Sequence, residues 1–403
     1  MEDIAINNTT MTKIVRKIVA NKYLLVSLLC QPIIKMIVSL RPLKKNKFFF
    51  ISMSGNSYGD SVKYISDYVC QCRPEANIVW AFSKNYIGKV NCEHKKVVLS
   101  SLAYFYHLYT SKYIVTNFAM DFRSFSSKRT GQVCMQTWHG TALKKIGYDM
   151  YETDKNIAYQ LFGVDRIKNM GILTDYLISG SNYMTKIFKE RFRYEKEIFE
   201  IGTPRNDIFF KENPEIRKKV RDFYSLNEKE GIILYAPTFR NDEQFTYYDI
   251  NLSLIKQLWE ERTGRHYTVM VRLHPNIASK SAEFIRMFPK GTVDTSFYPD
   301  MQELLYYADV LITDYSSSMF DFMLSKKPII MYVPDRQTYS RGFYLDIEEL
   351  PFIIINSNSE INDRLSEYDE LKYQQGIDAF LKKIGSVEMG NATEQSYRLL
   401  TSE

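Results

Sequence analysis

The stretch Val133–Gly147, VCMQTWHGTALKKIG, begins as an apolar run that is typical of a buried strand and ends with two lysines and a glycine. His139 lies where the apolar run stops. A histidine at a strand end can be a core residue with its ring satisfied by the backbone, a metal ligand, an anion contact or a general base. Gly140 permits a tight turn or a close ligand approach, and we expect a helix to begin after it with Thr141 as its cap.

Similar β-branched and aromatic runs recur along the chain, each followed by a polar or helical stretch. We predict strands at these further runs: Phe48–Ser54, Asn77–Ser83, Tyr113–Phe118, Tyr176–Ser181, Ile232–Thr238, Tyr267–Pro275, Asp309–Ser316, Pro328–Pro334 and Phe352–Asn356. Runs that are apolar throughout indicate strands buried on both faces, and therefore parallel sheets with crossover helices.

The length of 403 residues favours two domains over one. A charged helix and turn at residues 213–231 separates the two sets of predicted strands. We therefore expect an N-terminal segment at 1–47, a first Rossmann-like unit at 48–215, and a second at 216–403 with closing C-terminal helices. The two doubly wound α/β units would face each other across a cleft.

The basic charge is concentrated at the N-terminus, where the first fifty residues carry nine Lys or Arg and two acidic residues, against a net charge of +6 for the whole chain. The body of the protein is therefore not a general nucleic-acid binder. The apolar run Tyr23–Leu40 is interrupted by Gln31, Pro32 and Lys35. It predicts a helix lying in an anionic membrane surface rather than spanning the bilayer. The alternative is a helix packed against its own domain.

Several chemistries have no motif support in the sequence. The five cysteines are odd in number and lack paired CxxC spacing, so neither a disulfide framework nor a zinc site is indicated, and a reducing, cytosolic location is the simpler inference. The five histidines lack metal-ligand spacing, and no phosphate-binding GxxxxGK[ST] or dinucleotide-binding GxGxxG motif is present. We expect neither a metal nor a cofactor.

Polar residues follow several predicted strands at the end where an open parallel sheet binds its ligand. Arg272 and His274 lie two apart, so they share one strand face and suit a phosphate or carboxylate; a surface ion pair is the alternative. Asp314, Ser316 and Ser317 lead into a helix whose first N–H groups can bind an anion, although serine capping alone would explain them.

Two Arg-Asn-Asp loops and one acidic residue complete the set of candidates. The loops contribute Arg205 with Asn206, and Thr238 with Arg240, either as ordinary turns or as phosphate-directed groups. Asp321 lies one turn into the serine-led helix, where it can favour the positive helix end or accept a hydrogen bond from a ligand hydroxyl. Together these residues indicate a diphosphate-bearing ligand and metal-independent transfer from an activated phosphate donor.

Seven segments occur in an order that resembles the CDP-glycerol glycerophosphotransferase family, the glycerol-phosphate primases and polymerases of teichoic acid and related capsule synthesis. They are QTWHGTALKKIG, IGTPRND, ILYAPTFR, VRLHP, LITDYSSSMFDF, KKPIIMYVPD and RGFYLDIEELP. The segment ISMSGNSYGDSVKYI also looks like the family's Gly-x-Ser-Tyr-x-Asp segment. The resemblance covers about residues 48–365, and Ala142 stands where proline often follows His-Gly-Thr.

The resemblance implies a GT-B architecture and peripheral attachment to the cytoplasmic face of the membrane. It also implies transfer of glycerol phosphate from CDP-glycerol to a hydroxyl of a lipid-linked or growing polymer, with release of CMP. His139 would be the general base with Asp321 as a second catalytic residue. Donor binding would involve Gly140, Thr141, Arg205, Asn206, Thr238, Arg240, Arg272, His274, Asp314, Ser316 and Ser317.

Three alternatives stay open. The donor could be CDP-ribitol, or the enzyme could be a GT-B glycosyltransferase that uses a sugar nucleotide. A membrane-surface scaffold without catalysis is the third, and it leaves the residues of the cleft without a role.

Overall fold

The structure is a computed structural model that describes residues 31–123, 127–152, 166–240, 245–274, 277, 281–339 and 341–402. Residues 1–30, which hold most of the predicted membrane-associating segment, lie outside the described residues.

The first unit is built on a parallel sheet in which the described residues form seven strands. Their order is β3-β2-β1-β4-β5-β6-β7, so the direction of winding reverses between β1 and β4. The strands are β1 (Lys44–Ile51), β2 (Asn77–Phe82), β3 (Lys95–Val98), β4 (Ser111–Thr116), β5 (Val133–Gln136), β6 (Tyr176–Ser179) and β7 (Ile198–Glu200). The helices that accompany them are α1 (Gln31–Ser39), α2 (Asp60–Cys72), α3 (Leu102–Thr110), α4 (Asp149–Glu152) and α5 (Asn182–Arg191).

The second unit repeats this plan, with six strands in its described part. Their order is β10-β9-β8-β11-β12-β13, and all neighbours pair in parallel. The strands are β8 (Gly231–Tyr235), β9 (Tyr267–Val271), β10 (Val293–Asp294), β11 (Val310–Thr313), β12 (Ile329–Tyr332) and β13 (Ile353–Ile355). The helices are α6 (Pro214–Tyr224), α7 (Leu252–Thr263), α8 (Ser281–Ile285), α9 (Met301–Tyr307), α10 (Ser318–Phe322), α11 (Ile361–Ser366), α12 (Glu370–Lys383) and α13 (Ala392–Thr401).

Strand β1 shows why these runs form central strands. Phe48, Phe49, Phe50 and Ile51 are all fully buried. Because successive side chains point to opposite faces, Phe49 and Ile51 pack into one hydrophobic cluster while Phe48 and Phe50 pack into another. A strand covered on both faces must be apolar at every position, and the prediction of doubly wound parallel sheets is confirmed.

The strands that the sequence did not predict lie at sheet edges. These are β3, β7 and β10, of two to four residues each. Several of their side chains are exposed or half-buried, so no continuous apolar run marks them.

The helix predicted after Gly140 is absent. Residues 141–146, called the crossing segment below, instead run without helical structure to the second unit, where Lys144 forms an antiparallel bridge with Phe343. There Tyr344 N donates to Leu143 O at 2.8 Å, and Lys145 N donates to Gly342 O at 2.8 Å. Leu143 is 2% exposed in the core of the second unit, which a helix starting at Thr141 would not reach.

The last helix returns to the first unit. Helix α13 packs against α2, Arg73 Nε donates to Tyr397 Oη at 2.9 Å, and Leu400 is buried among side chains of the first sheet. The division of the chain into a first unit at 48–215 and a second at 216–403 stays a prediction. Helix α13 belongs to the second range by sequence, but it packs on the first unit.

Helix α1 lies at the start of the described chain. It packs on α3 through partly buried Ile34 and buried Val38. Its outer side carries exposed apolar residues, which are Ile33, Met36 and Ile37, with Leu40 just beyond the helix. None of the described helices has both the length and the apolar character needed to cross a bilayer.

Candidate active site

A cavity of about 630 Å³ lies in the cleft between the two units. Residues that follow strands of both sheets line this cavity. In open parallel sheets, ligands bind at the carboxyl ends of the strands, where the direction of winding reverses. The predicted residues on its wall are His139, Gly140, Thr141, Arg205, Thr238, Arg272, His274, Ser316, Ser317 and Asp321.

His139 is held in one orientation by the backbone of the neighbouring strand end. Its Nδ1 lies 2.9 Å from Asn117 O. Because a carbonyl oxygen only accepts, Nδ1 carries the proton and Nε2 is left with a free lone pair. Burial lowers the pKa of His139, while the bond to Asn117 and the charge of Asp60 oppose that shift. The imidazole is therefore neutral at neutral pH and can accept a proton at Nε2.

Asn117 is fixed in turn by the chain after β1. Met53 N donates to Asn117 Oδ1 at 3.0 Å, and Asn117 Nδ2 donates to Ser52 Oγ at 3.1 Å. Met53 and Ser54 have φ of 48° and 53°, in the left-handed region, and Ser54 N donates to Asp121 Oδ1 at 2.7 Å. Asn117 was not among the predicted site residues, because it lies inside the predicted strand Tyr113–Phe118, whereas the observed strand β4 ends at Thr116 and leaves Asn117 just beyond it.

Gly140 lies against Ser317 of the second unit in the cleft. A Cβ at this position would lie 2.5 Å from Ser317 Oγ and 2.8 Å from Ser317 Cβ, and Gly140 has φ of 155°. Only glycine allows this contact, so the His139 turn rests directly on the serines that precede α10. Ser318 Oγ donates to Ser316 Oγ at 2.9 Å, which orders the same turn.

Arg272 presents a cation to the cleft. Its Nη1 donates to Thr295 O at 3.0 Å and to Tyr298 O at 2.8 Å, and it forms no ion pair with a carboxylate in the part of the chain that the structure describes. These carbonyls orient the guanidinium without neutralising it. His274 stacks on Phe239 with ring centroids 5.9 Å apart, and burial and the charge of Lys144 lower its pKa.

Arg205 and Asp321 form a buried bidentate ion pair on the cleft wall. Arg205 Nε and Nη2 donate to the two carboxylate oxygens of Asp321, both at 2.9 Å, and Arg205 Nη1 donates to Asp60 Oδ1 at 3.0 Å. Gln302 Nε2 donates to Asp321 Oδ2 at 3.0 Å. The pair joins the first unit to the second. Asp60, which lies in the family-like GNSYGD segment, was not among the predicted site residues.

Arg240, Asp314 and Asn206 were predicted to bind the donor, but they are not on the described cavity wall. Arg240 Nε donates to Asp335 Oδ2 at 2.7 Å, and its Nη2 pairs with Asp314 Oδ2 at 2.9 Å. Asp314 also accepts from Thr238 N at 3.0 Å, which fixes the wall residue Thr238. The donor-contact prediction for these three residues stays a prediction, and in this structure partners within the protein hold their polar groups.

Asn206 belongs to a separate interior network. Its Nδ2 donates to Glu388 Oε1 at 3.2 Å, and its Oδ1 accepts from Gln302 Nε2 at 3.2 Å. Burial raises the pKa of Glu388 to about 7. No group of three or more metal-ligating side chains occurs among the described residues.

Comparison with known proteins matches residues 33–402 to the model of the CDP-Glycerol:Poly(glycerophosphate) glycerophosphotransferase family. A teichoic acid poly(glycerol phosphate) polymerase of Staphylococcus epidermidis is 32% identical over 87% of this chain and 50% of its own length. Its namesake in Bacillus subtilis is 29% identical over 89% of this chain and 49% of its own. The chain thus spans about half the length of these two relatives.

The solved structure of the wall teichoic acid polymerase TagF superposes with a TM-score of 0.79 at 28% identity, covering 97% of this chain and 96% of that one. The family match and this superposition both cover almost the whole chain. The chain belongs to the CDP-glycerol:poly(glycerophosphate) glycerophosphotransferase family.

Proposed function

We propose that this protein transfers glycerol phosphate from CDP-glycerol to a hydroxyl of a membrane-linked acceptor or a growing teichoic acid or capsule polymer, and releases CMP. The observation that carries the proposal is His139, whose proton-bearing Nδ1 is held by Asn117 O while the cleft wall beside it offers Arg272 and two serines. Membership of the family and the relatives' names support the choice of donor.

In this reaction, the acceptor hydroxyl attacks the phosphorus that bears glycerol. The new P–O bond forms to the acceptor oxygen, the P–O bond to CMP breaks, and the acceptor proton passes to His139 Nε2. An alcohol is a weak nucleophile, so a positioned imidazole raises the rate by about 10²–10⁴-fold. The lowered pKa keeps His139 in the neutral form that this step needs.

Charge on the departing CMP is balanced from the second unit. Arg272, already oriented by Thr295 O and Tyr298 O, has donors left for a phosphate. The hydroxyls of Ser316 and Ser317 lie on the same wall. We assign Arg205 and Asp321 a positioning role, because their ion pair binds the two units together beside the reacting groups.

The donor is identified by supplying purified protein and a lipid-linked acceptor with CDP-glycerol, CDP-ribitol or a UDP-sugar, and measuring nucleotide release. We expect CMP from CDP-glycerol at a rate that depends on the acceptor. Preferred use of CDP-ribitol would change the donor within the same chemistry. Use of a sugar nucleotide alone would overturn the phosphotransferase assignment.

We also propose that α1 attaches the protein to the cytoplasmic face of the membrane as a peripheral protein. Ile33, Met36, Ile37 and Leu40 follow helical three- and four-residue spacing and are 56%, 67%, 57% and 85% exposed. Exposed Arg41, Lys44 and Lys45 follow directly and would face anionic lipid headgroups.

Sedimentation with vesicles tests this attachment. We expect Met36→Glu to weaken binding to vesicles that contain anionic lipid. Leu371→Glu is the matched control, since Leu371 is 66% exposed on α12. Equal binding by both variants would exclude α1 as the attachment site.

A further inference from the structure

The cationic side chains that line the described cleft differ in what already binds them. These are Lys144, Arg205, Arg272 and Arg341. Arg205 is paired with two carboxylates, Arg272 Nη1 is bonded to two carbonyls, and Arg341 Nη2 donates to Lys145 O at 3.0 Å. Lys144 Nζ has neither a hydrogen bond nor an ion pair within the described residues. It is the cleft's unpaired ammonium.

The surroundings of Lys144 make an unpaired charge unfavourable. Burial and the charge of Arg341 lower the pKa of Lys144 to about 8, although Asp314 acts in the opposite direction. Lys144 is half-buried, and an ammonium partly removed from water without a partner carries a desolvation penalty that a bound anion would offset.

Lys144 is also placed at the donor side of the cleft. It comes from the first unit, but the bonds of Leu143 O and Lys145 N to Tyr344 and Gly342 tie its backbone to the second. Its charge lowers the pKa of His274, whereas the charges acting on His139 come from Asp60 and Arg205. Lys144 lines the same cavity as Arg272 and His274 of the second unit.

We propose that Lys144 Nζ binds the diphosphate of the cytidine diphosphate donor, an inference that rests on the function proposed above. A compact ammonium with three donors suits a phosphate group, and Arg272 is available as the second cation. The crossing segment then has a direct role in donor binding, because it carries a residue of the first unit to the phosphate site of the second.

The test compares CDP with cytidine as ligands of the full-length protein. Lys144→Met keeps the half-buried apolar stem and removes the charge. We expect it to weaken CDP binding, measured by calorimetry, by about 10- to 100-fold, the range for a lost charge-assisted hydrogen bond. Cytidine binding, measured by ligand-observed NMR, should change by less than about twofold. The control Lys145→Ala removes the neighbouring exposed lysine and should leave both affinities unchanged.

Unchanged CDP affinity in Lys144→Met would overturn the proposal. An equal loss of CDP and cytidine affinity would also overturn it, because that result indicates a disturbed cleft rather than a lost phosphate contact. If Lys144→Met does not fold, Lys144→Gln replaces it. These binding measurements need no turnover, so failure of transfer from CDP-glycerol by the wild-type protein is detected separately.

Discussion

Replacing Arg205 distinguishes a residue that joins the two units from one that binds the donor phosphate directly. In the structure, Arg205 is 4% exposed and Asp321 is 6% exposed, and two hydrogen bonds of 2.9 Å connect them. Asp60 accepts a third bond at 3.0 Å. Arg205→Met therefore leaves two carboxylates facing each other on the cleft wall without their shared cation.

The expected loss of stability follows from that geometry. Removing one partner of a buried ion pair typically lowers the free energy of unfolding by about 3–5 kcal/mol. We expect a loss of that size for Arg205→Met in urea titrations followed by circular dichroism. The double variant Arg205→Met with Asp321→Leu should recover part of it, since it removes a carboxylate together with the cation.

The matched control is Arg336→Met at the surface. Arg336 also bonds two carboxylates, those of Asp346 and Glu348, but its side chain is 30% exposed rather than 5%. Exposed pairs contribute about 0–1 kcal/mol, so this variant should unfold close to the wild type. The reasoning is refuted if Arg205→Met keeps wild-type stability while its affinity for CDP falls.

Three further residues, His139, Gly140 and Asp121, give testable expectations for transfer, pH dependence and stability. His139→Ala should lower transfer by at least about 10²-fold, because it removes the base. Near-normal turnover would contradict the assignment. Because burial lowers the pKa of His139, kcat/KM should stay high as pH falls below 6.5 and decline only at more acidic pH; a decline centred at or above 6.5 would argue against His139 as the base. Gly140→Ala should lower the free energy of unfolding by about 1–3 kcal/mol and reduce transfer, because the added Cβ would lie 2.5 Å from Ser317 Oγ. The double variant Gly140→Ala with Ser317→Gly should recover part of the stability and part of the transfer rate. If it recovers neither, the contact with Ser317 is not the cause. Burial raises the pKa of Asp121 from 3.8 to about 7, so its contribution to stability is present at low pH and is lost as pH rises through 7. Asp121→Asn should therefore make the free energy of unfolding depend less on pH between about pH 4 and 7. An unchanged pH dependence would contradict this.

The central strands could be predicted from short apolar runs in the sequence, because central strands of parallel sheets are apolar at every position. Phe48–Ile51 and Val310–Ile312 are such runs, and both are fully buried. The edge strands β3, β7 and β10 could not be read in this way. Hydrogen bonds to a single neighbour hold them, and their mixed side chains resemble those of loops.

Local sequence pattern was enough to predict two parallel sheets and the place of His139 at a strand end, because strand period and the direction of parallel strands are local properties. It also drew attention to the arginines near the cleft. Which of these arginines still have free N–H donors depends on contacts between residues far apart in the chain. Arg205 pairs with Asp321, which lies 116 positions later in the sequence, and Arg240 pairs with Asp335, which lies 95 positions later. Such pairings depend on how two separately wound units meet, and no local pattern records that. For the same reason the helix predicted after Gly140 would include Lys144. Lys144 instead lies on the crossing segment, which Gly342 and Tyr344 of the second unit hold in place.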